Sequence, residues 1–173
     1  DRIFLMGYGF HWSGSDPGGT AAVSRIDGRA SLSTAIDLYA AAGIPRSRIL
    51  LGLPLFGMAW TVTSPDRYAT QLGKGQTWVP ARHLAELAAA AATLQLDEIE
   101  VSEFISQPLA TEPAVPTWQQ TFYDSPRTLR VKLGIARAAG YAGSGFWALG
   151  YERGLPGYTD LMADFLAGRQ PSL

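Results

Sequence analysis

The chain is 173 residues long, 47% hydrophobic and 17% charged, which provides enough apolar material for one domain with a buried core. A formal net charge of -1, with scattered Lys and Arg, argues against nucleic acid and anionic membranes as partners. The absence of cysteine excludes disulfides, thiolate nucleophiles and thiolate metal sites. No apolar run approaches the roughly 20 residues of a membrane span.

The first part of the chain predicts a strand, a loop, a helix and a second strand. Residues 3–10 form an apolar run, and a loop rich in Gly, Ser and Pro follows it. Ser31 is a favourable N-cap for a helix that stops at Gly43. Residues 49–56 are apolar on both faces, as is typical of a parallel strand covered by helices.

Residues 61–122 differ in composition and are predicted to form an insertion. Prolines, glycines and threonines surround one alanine-rich segment, which predicts a helix over about 81–96. The acidic run over 97–103 is predicted to be a solvated face of this insertion.

The last part of the chain predicts a helix, a strand and a final helix. Ser125 and Pro126 supply an N-cap and a first-turn proline for a helix through Ala139. The strand follows over about 143–150, and an amphipathic helix begins near Pro156.

This order of elements indicates an α/β fold with parallel strands and right-handed crossovers, in an open sheet or part of a barrel. The chain is therefore divided into barrel units at 1–60, an insertion at 61–122 and the last barrel units at 123–173. Because a strand-like run begins by Ile3 without a polar lead, we expect the chain to be a fragment.

Aromatic residues cluster where the predicted parallel strands end. In such folds the functional groups lie at the C-terminal ends of the strands. An aromatic face can stack on the apolar face of a pyranose, so the pattern points to carbohydrate. The side chains at these ends are Tyr8, His11, Trp12, Trp60, Trp147 and Tyr151.

Four segments, in chain order, resemble the C-terminal part of family 18 glycoside hydrolases, which include the chitinases. Leu5-Met-Gly-Tyr-Gly-Phe-His11 resembles the sixth barrel strand, usually Met-x-Tyr-Asp, and Gly52-Leu-Pro-Leu-Phe-Gly57 is similar to the seventh. Tyr123-Asp124 resembles a Tyr-Asp-Asp-x-x-Ser element, and Gly145-Phe-Trp-Ala-Leu-Gly-Tyr151 matches the eighth strand. The resemblance covers essentially the whole chain.

The resemblance implies parallel βα units from the C-terminal part of a TIM (βα)8 barrel, with an insertion before the penultimate helix. It further implies substrate-assisted, retaining hydrolysis of β-1,4-linked N-acetylglucosamine glycans, without cofactor or metal. The family's catalytic acid ends an Asp-x-x-Asp-x-Asp-x-Glu run, which this chain lacks. We therefore expect the chain alone to be inactive, and to pair with the missing N-terminal half of the barrel or with itself.

The resemblance also implies roles for individual residues. Trp147 would stack under the distorted sugar, Tyr8 would hydrogen-bond its acetamido group, and Met6 would line that pocket. The further substrate contacts expected are His11, Trp12, Trp60 and Tyr151. An extracellular or cell-envelope location in a bacterium is expected.

Departures from the family pattern keep other interpretations open. Gly9 stands where the family usually has Asp, and Phe56 and Met58 replace more polar residues. These changes suggest a noncatalytic relative that binds chito-oligosaccharide or peptidoglycan. An α/β interaction domain that binds no sugar is the third possibility. Glu152 could replace the missing acid, but a loop carboxylate beside Arg153 more often makes a surface ion pair.

Overall fold

A computed structural model of the chain describes residues 1–109 and 116–169. The strands are β1 (Ile3–Met6), β2 (Ile49–Pro54), β3 (Gly57–Val62), β4 (Gln76–Trp78), β5 (Gln95–Asp97), β6 (Ser102–Leu109), β7 (Thr117–Tyr123) and β8 (Gly143–Trp147). The α-helices are α1 (Leu32–Ala41), α2 (Leu84–Ala90), α3 (Pro126–Ala138) and α4 (Pro156–Leu166). None of the helices in these ranges combines the length and apolarity that crossing a membrane requires.

β1, β2 and β8 form a parallel sheet in the order β1-β2-β8. Alternate residues of a strand point to the same side of a sheet. One face of this sheet packs against the helices. Leu5, Leu51 and Leu53 are buried on that face. The helices contribute Leu32, Leu129, Leu133, Tyr158 and Leu161 to the same core.

Local sequence explains where α1 and α3 begin. Ser31 caps α1 and Ser125 caps α3, each in a reciprocal capping box with the threonine three residues later. Pro126 occupies the first turn of α3, where no backbone donor is needed. Both predicted N-caps are confirmed.

The opposite face of the parallel sheet is uncovered in the described part of the chain. Phe4, Met6 and Trp147 on this side are 44%, 64% and 57% exposed. Parallel sheets normally have both faces covered. This sheet therefore presents an apolar surface of a kind that is usually buried.

A second, antiparallel sheet has the order β4-β3-β7-β6-β5. It occupies the region predicted as an insertion. The boundary predicted at residue 61 falls inside β3, and the strand predicted over 49–56 ends at Pro54. The helix predicted over 81–96 is also wrong in length. α2 lacks a side-chain N-cap and covers only Leu84–Ala90, and β5 takes the end of the predicted range.

Aromatic rings fill the core of the second sheet. Phe122 lies 4.9 Å from Phe104 and 6.3 Å from Trp60, measured between ring centroids. The Trp60 ring is edge-on to Phe122, with an interplanar angle of 77°. Trp60 is therefore a core residue of this sheet.

The acidic run over 97–103 is not a solvated face. Asp97, Glu100 and Glu103 are all buried. Asp97 accepts hydrogen bonds from the Tyr68 hydroxyl and from two backbone N–H groups of its own turn. Glu103 accepts from Arg127 at 2.6 Å. The prediction was wrong because these partners, not water, satisfy the carboxylates.

A buried ion pair joins β7 to α3. Asp124 pairs with Lys132 and accepts from the Thr128 hydroxyl at 2.7 Å. The Tyr158 hydroxyl donates to the Asp124 carbonyl at 2.7 Å, which ties α4 to the same point. Burial raises the pKa of Asp124 and lowers the pKa of Lys132. The Tyr123-Asp124 motif thus has a structural role where the last helices meet the sheet.

Candidate functional site

The register of the parallel sheet brings Met6 and Trp147 to the same uncovered face. Met6 lies opposite Gly52, and Gly52 lies opposite Gly145. Trp147 is two residues beyond Gly145, so its side chain points to the same side as that of Met6. The Leu55 N–H donates to the Trp147 carbonyl at 2.6 Å and holds this end of β8.

Glycines make room for an aromatic ring across this face. A Cβ at Gly52 would stand 2.3 Å from the Phe4 ring, and one at Gly145 would stand 2.5 Å from it. The Phe4 side chain therefore lies across β2 and β8, one alternation towards the N-terminal end from Met6. Phe4, Met6 and Trp147 are thus apolar side chains on one face of the sheet.

Tyr8 follows β1 at the same end of the sheet. Its ring meets Phe56 edge-on, with centroids 5.9 Å apart and planes at 79°. Burial raises the pKa of Tyr8. A tyrosine hydroxyl is protonated at neutral pH in any case and can donate a hydrogen bond. Trp147, Met6 and Tyr8 thus offer an aromatic face, an apolar side chain and one hydrogen-bond donor, but none of them is a carboxylic acid that could protonate a leaving group.

Trp12 lies in the loop after β1 and is largely exposed. Its ring covers Gly14, where a Cβ would stand 2.4 Å from the indole. The backbone N–H of Trp12 donates to the Ser15 hydroxyl at 3.0 Å. One side of the indole therefore packs on Gly14, while most of the side chain remains exposed to solvent. Its sugar contact stays a prediction.

Tyr151 lies in the turn after β8 and is half-buried. The Arg82 guanidinium lies 5.7 Å from the centroid of its ring, in a cation–π arrangement. The helical turn over Pro80–Arg82, which follows β4, thus contacts the turn that follows Trp147. A sugar contact by Tyr151 also stays a prediction.

Two predicted substrate contacts, His11 and Trp60, need correction. They are 2% and 1% exposed, so neither presents a surface on which a sugar could stack. Trp60 is enclosed by its own sheet, and His11 faces the second sheet. The partner of His11 is Glu100, 89 positions away, and the sequence analysis did not identify this pair. No local signal marks that pair, because each residue is polar and neighbours a loop.

The sequence model of the family described as "Glycosyl hydrolases family 18" matches residues 1–152. The chain belongs to this family. Three of the four segments that resemble the family contain the ends of the parallel strands β1, β2 and β8, whereas Tyr123-Asp124 lies at the end of β7 in the antiparallel sheet.

The family 18 chain is similar to one known sequence and two solved structures, among others. It is 24% identical to an endochitinase of Brugia malayi, with 88% of this chain and 32% of the relative covered. A chitinase of Cycas revoluta in complex with (GlcNAc)3 is 20% identical, with TM-score 0.72 over 96% of this chain and 47% of that one. A chitinase-like agglutinin of Robinia pseudoacacia is 18% identical, with TM-score 0.71 over 95% and 47%.

These likenesses confirm the predicted fold class. The parallel βα units are part of the TIM (βα)8 barrel of family 18. The chain spans about a third of the length of the endochitinase and about half of each solved chain.

Proposed function

We propose that the full-length protein hydrolyses β-1,4-linked N-acetylglucosamine glycans of the chitin type, and that this chain supplies one side of the substrate cleft. The observation that carries the proposal is the exposed Trp147 indole on the same uncovered face as Met6, at the strand ends of a family 18 chain. In this proposal a pyranose stacks on the indole and its acetamido group reaches the hydroxyl of Tyr8, which follows β1 at the same end of the sheet.

In the proposed reaction the acetamido oxygen of the substrate attacks its own anomeric carbon. A carboxylic acid protonates the leaving glycosidic oxygen, and water then opens the cyclic intermediate with net retention. Tyr8 holds the acetamido group by a hydrogen bond while positive charge develops. The family's acid ends an Asp-x-x-Asp-x-Asp-x-Glu run, and these 173 residues contain no such run.

The ligand of a solved relative supports this substrate class, since the Cycas revoluta chitinase holds (GlcNAc)3. A second candidate function, glycan binding without hydrolysis, is favoured by Gly9 in place of the usual Asp and by the likeness to an agglutinin. A polymeric glycan does not enter cells, so both functions go with an extracellular or cell-envelope location.

The test uses the full-length protein and the soluble tetramer (GlcNAc)4. Trp147→Ala should weaken binding of the tetramer roughly 10- to 100-fold by calorimetry, because burying an aromatic contact contributes about 1.5–3 kcal/mol. Leu38→Ala, an exposed apolar residue on α1, serves as the matched control and should leave binding unchanged.

Product analysis separates the candidate functions. Release of shorter oligosaccharides by the unmodified protein supports hydrolysis, whereas binding without products supports the glycan-binding alternative. A protein that binds no tetramer, or a Trp147→Ala variant that binds normally, contradicts the proposed site.

A further inference from the structure

The loop between β1 and α1 is fastened to the second sheet by a buried imidazole–carboxylate pair. His11 Nε2 lies 3.0 Å from Glu100 Oε1, and both side chains are almost fully buried. The other carboxylate oxygen accepts the backbone N–H of Gly19 at 2.5 Å. The Nδ1 atom of His11 lies 2.8 Å from the carbonyl oxygen of Asp16. The proposed reaction gives this pair no task of its own.

The hydrogen-bond partners determine where the protons are. A carbonyl oxygen can only accept, so Nδ1 of His11 carries a proton and donates to Asp16. Nε2 of His11 and Oε1 of Glu100 then need one proton between them, on either atom. A glutamine at position 100 would meet both needs, because its amide can donate to Nε2 and accept from Gly19. An alanine would meet neither, and would leave buried polar groups without partners.

Glu100 is linked to Tyr8 by two consecutive residues. The Gly19 N–H donates to the Glu100 carboxylate, and Thr20 follows Gly19 directly. The Thr20 hydroxyl accepts the Gly9 N–H at 3.1 Å, and its carbonyl accepts the Phe10 N–H at 3.0 Å. Gly9 and Phe10 are the residues immediately after Tyr8. A shift of Gly19 would therefore be transmitted to the backbone that carries the Tyr8 hydroxyl.

The same loop is held at further points that follow Trp12 in the chain. The Gly75 N–H of the second-sheet region donates to the Ser13 carbonyl at 2.8 Å. The Val23 N–H donates to the Glu100 carbonyl at 3.0 Å. Close packing adds to these bonds, since a Cβ at Gly18 would stand 2.3 Å from the His11 ring.

We propose that Glu100 is a positioning residue of the sugar site. Through Gly19 and Thr20 it fixes the backbone after Tyr8, and through His11 it fixes the segment that carries Trp12. The second sheet thereby controls the order of a loop whose side chains face the substrate. The effect on sugars rests on the proposed function, whereas the effect on loop order does not.

Amide hydrogen exchange in the full-length protein tests the loop order. Glu100→Ala should speed exchange in residues 9–20 by about tenfold or more. The closed loop of this variant lacks two buried hydrogen bonds, so local opening costs less free energy. Glu100→Gln should retain protection within about twofold, since it can make both bonds. Glu98→Ala is the matched control, because Glu98 is exposed two positions away. Unchanged protection in Glu100→Ala overturns the proposal.

A second variant covers the case in which Glu100→Ala does not fold. His11→Phe keeps a ring of similar size but removes both hydrogen bonds of the imidazole. It should loosen residues 9–20 as Glu100→Ala does, and normal protection there overturns the proposal. Equal damage from Glu100→Gln and Glu100→Ala also overturns it, since loss of the negative charge alone would then explain both.

Hydrolysis of (GlcNAc)4 by the same variants links the loop to the site. We expect kcat/KM to fall roughly tenfold in Glu100→Ala and to be rescued in Glu100→Gln, as a 1.4 kcal/mol loss of transition-state binding would give. If the unmodified protein neither binds nor cleaves the tetramer, the proposed function fails and the exchange data still decide the positioning role. Loosened exchange with unchanged kcat/KM in Glu100→Ala overturns the link to the sugar site.

Discussion

At the residue scale, the loop after β1 is also stabilised by a shielded arginine. The Arg25 guanidinium donates to the Phe10 carbonyl at 2.5 Å and to both carboxylate oxygens of Asp27, at 3.0 and 2.6 Å. Its side chain is almost fully buried although its partner is not. The hydrogen bonds from Arg25 lower the pKa of Asp27 from 3.8 to about 2.

The Asp27 carboxyl should therefore titrate at an unusually low pH. Because its folded-state pKa is depressed, its contribution to stability is present above pH 3.8 and is lost as the pH falls through about 2. In Arg25→Gln we expect the titration midpoint to return towards 3.8, followed by carbon-13 NMR of the side-chain carboxyl. Arg29→Gln is the control, since Arg29 is exposed and lies 3.6 Å from the carboxylate. An unchanged midpoint in Arg25→Gln would refute the assigned cause.

Single residues at the strand ends could be predicted from the sequence, whereas buried polar residues could not. Trp147 was predicted from its position near the end of a strand, and Met6 only from the family resemblance. Two-residue alternation in the observed strands explains why the two share a face. His11, Trp60 and Glu100 were misplaced, since their burial depends on chain segments far away in sequence. The partners of Glu100 lie 81 and 89 positions from it.

At the scale of elements, the junction between the two sheets is unusually tight. Only Leu55 and Phe56 separate β2 from β3, so the chain leaves the parallel sheet and enters the antiparallel one almost at once. A Cβ at Gly57 would stand 2.1 Å from the Phe122 carbonyl oxygen and 2.6 Å from the Tyr123 Cβ. Glycine at position 57 is what lets β3 and β7 approach each other here.

Gly57→Ala should lower the free energy of unfolding by about 1–3 kcal/mol or more, because the clash is with rigid backbone. Gly134→Ala is the matched control. Gly134 is exposed in α3 and a Cβ there meets nothing within 4 Å, so this change should stabilise by about 0.5–1 kcal/mol. Urea unfolding of the two variants measures both effects. A neutral Gly57→Ala would show that the two strands can separate.

The helices α1, α3 and α4 and the parallel strands were predictable because their signals are local. Ser31 and Ser125 are N-caps by residue type, and Pro126 is a first-turn proline. The second sheet carries no such signals. β6 mixes buried Ser102 and Glu103 with buried Phe104 and Ile105, so no alternation of polar and apolar residues marks it as a strand.

At the scale of the whole molecule, the parallel sheet has two open edges among the described residues. β1 and β8 each pair with β2 alone, and their outer backbone groups lie beside the exposed Phe4, Met6 and Trp147. Proteins usually pair or cover such edges. In a (βα)8 barrel the neighbouring strands supply that cover.

A polypeptide limited to these 173 residues should therefore self-associate. Sedimentation velocity should show species larger than the 18.6 kDa monomer, increasing with concentration. Met6→Lys should shift the distribution towards monomer, because the charge would be buried in the contact. Leu38→Lys, on the outer surface of α1, should not. A monomer at every concentration would contradict this prediction.

The closeness of Gly57 and Tyr123 also has an evolutionary consequence. The antiparallel sheet begins at one and ends at the other, and a Cβ on Gly57 would stand 2.8 Å from the Cα of Tyr123. A gene could gain or lose the codons between them as one unit, and the end of β2 and the start of α3 would stay close together. Such a loss would also remove Glu100, so His11 and Glu100 should appear and disappear together among homologous genes.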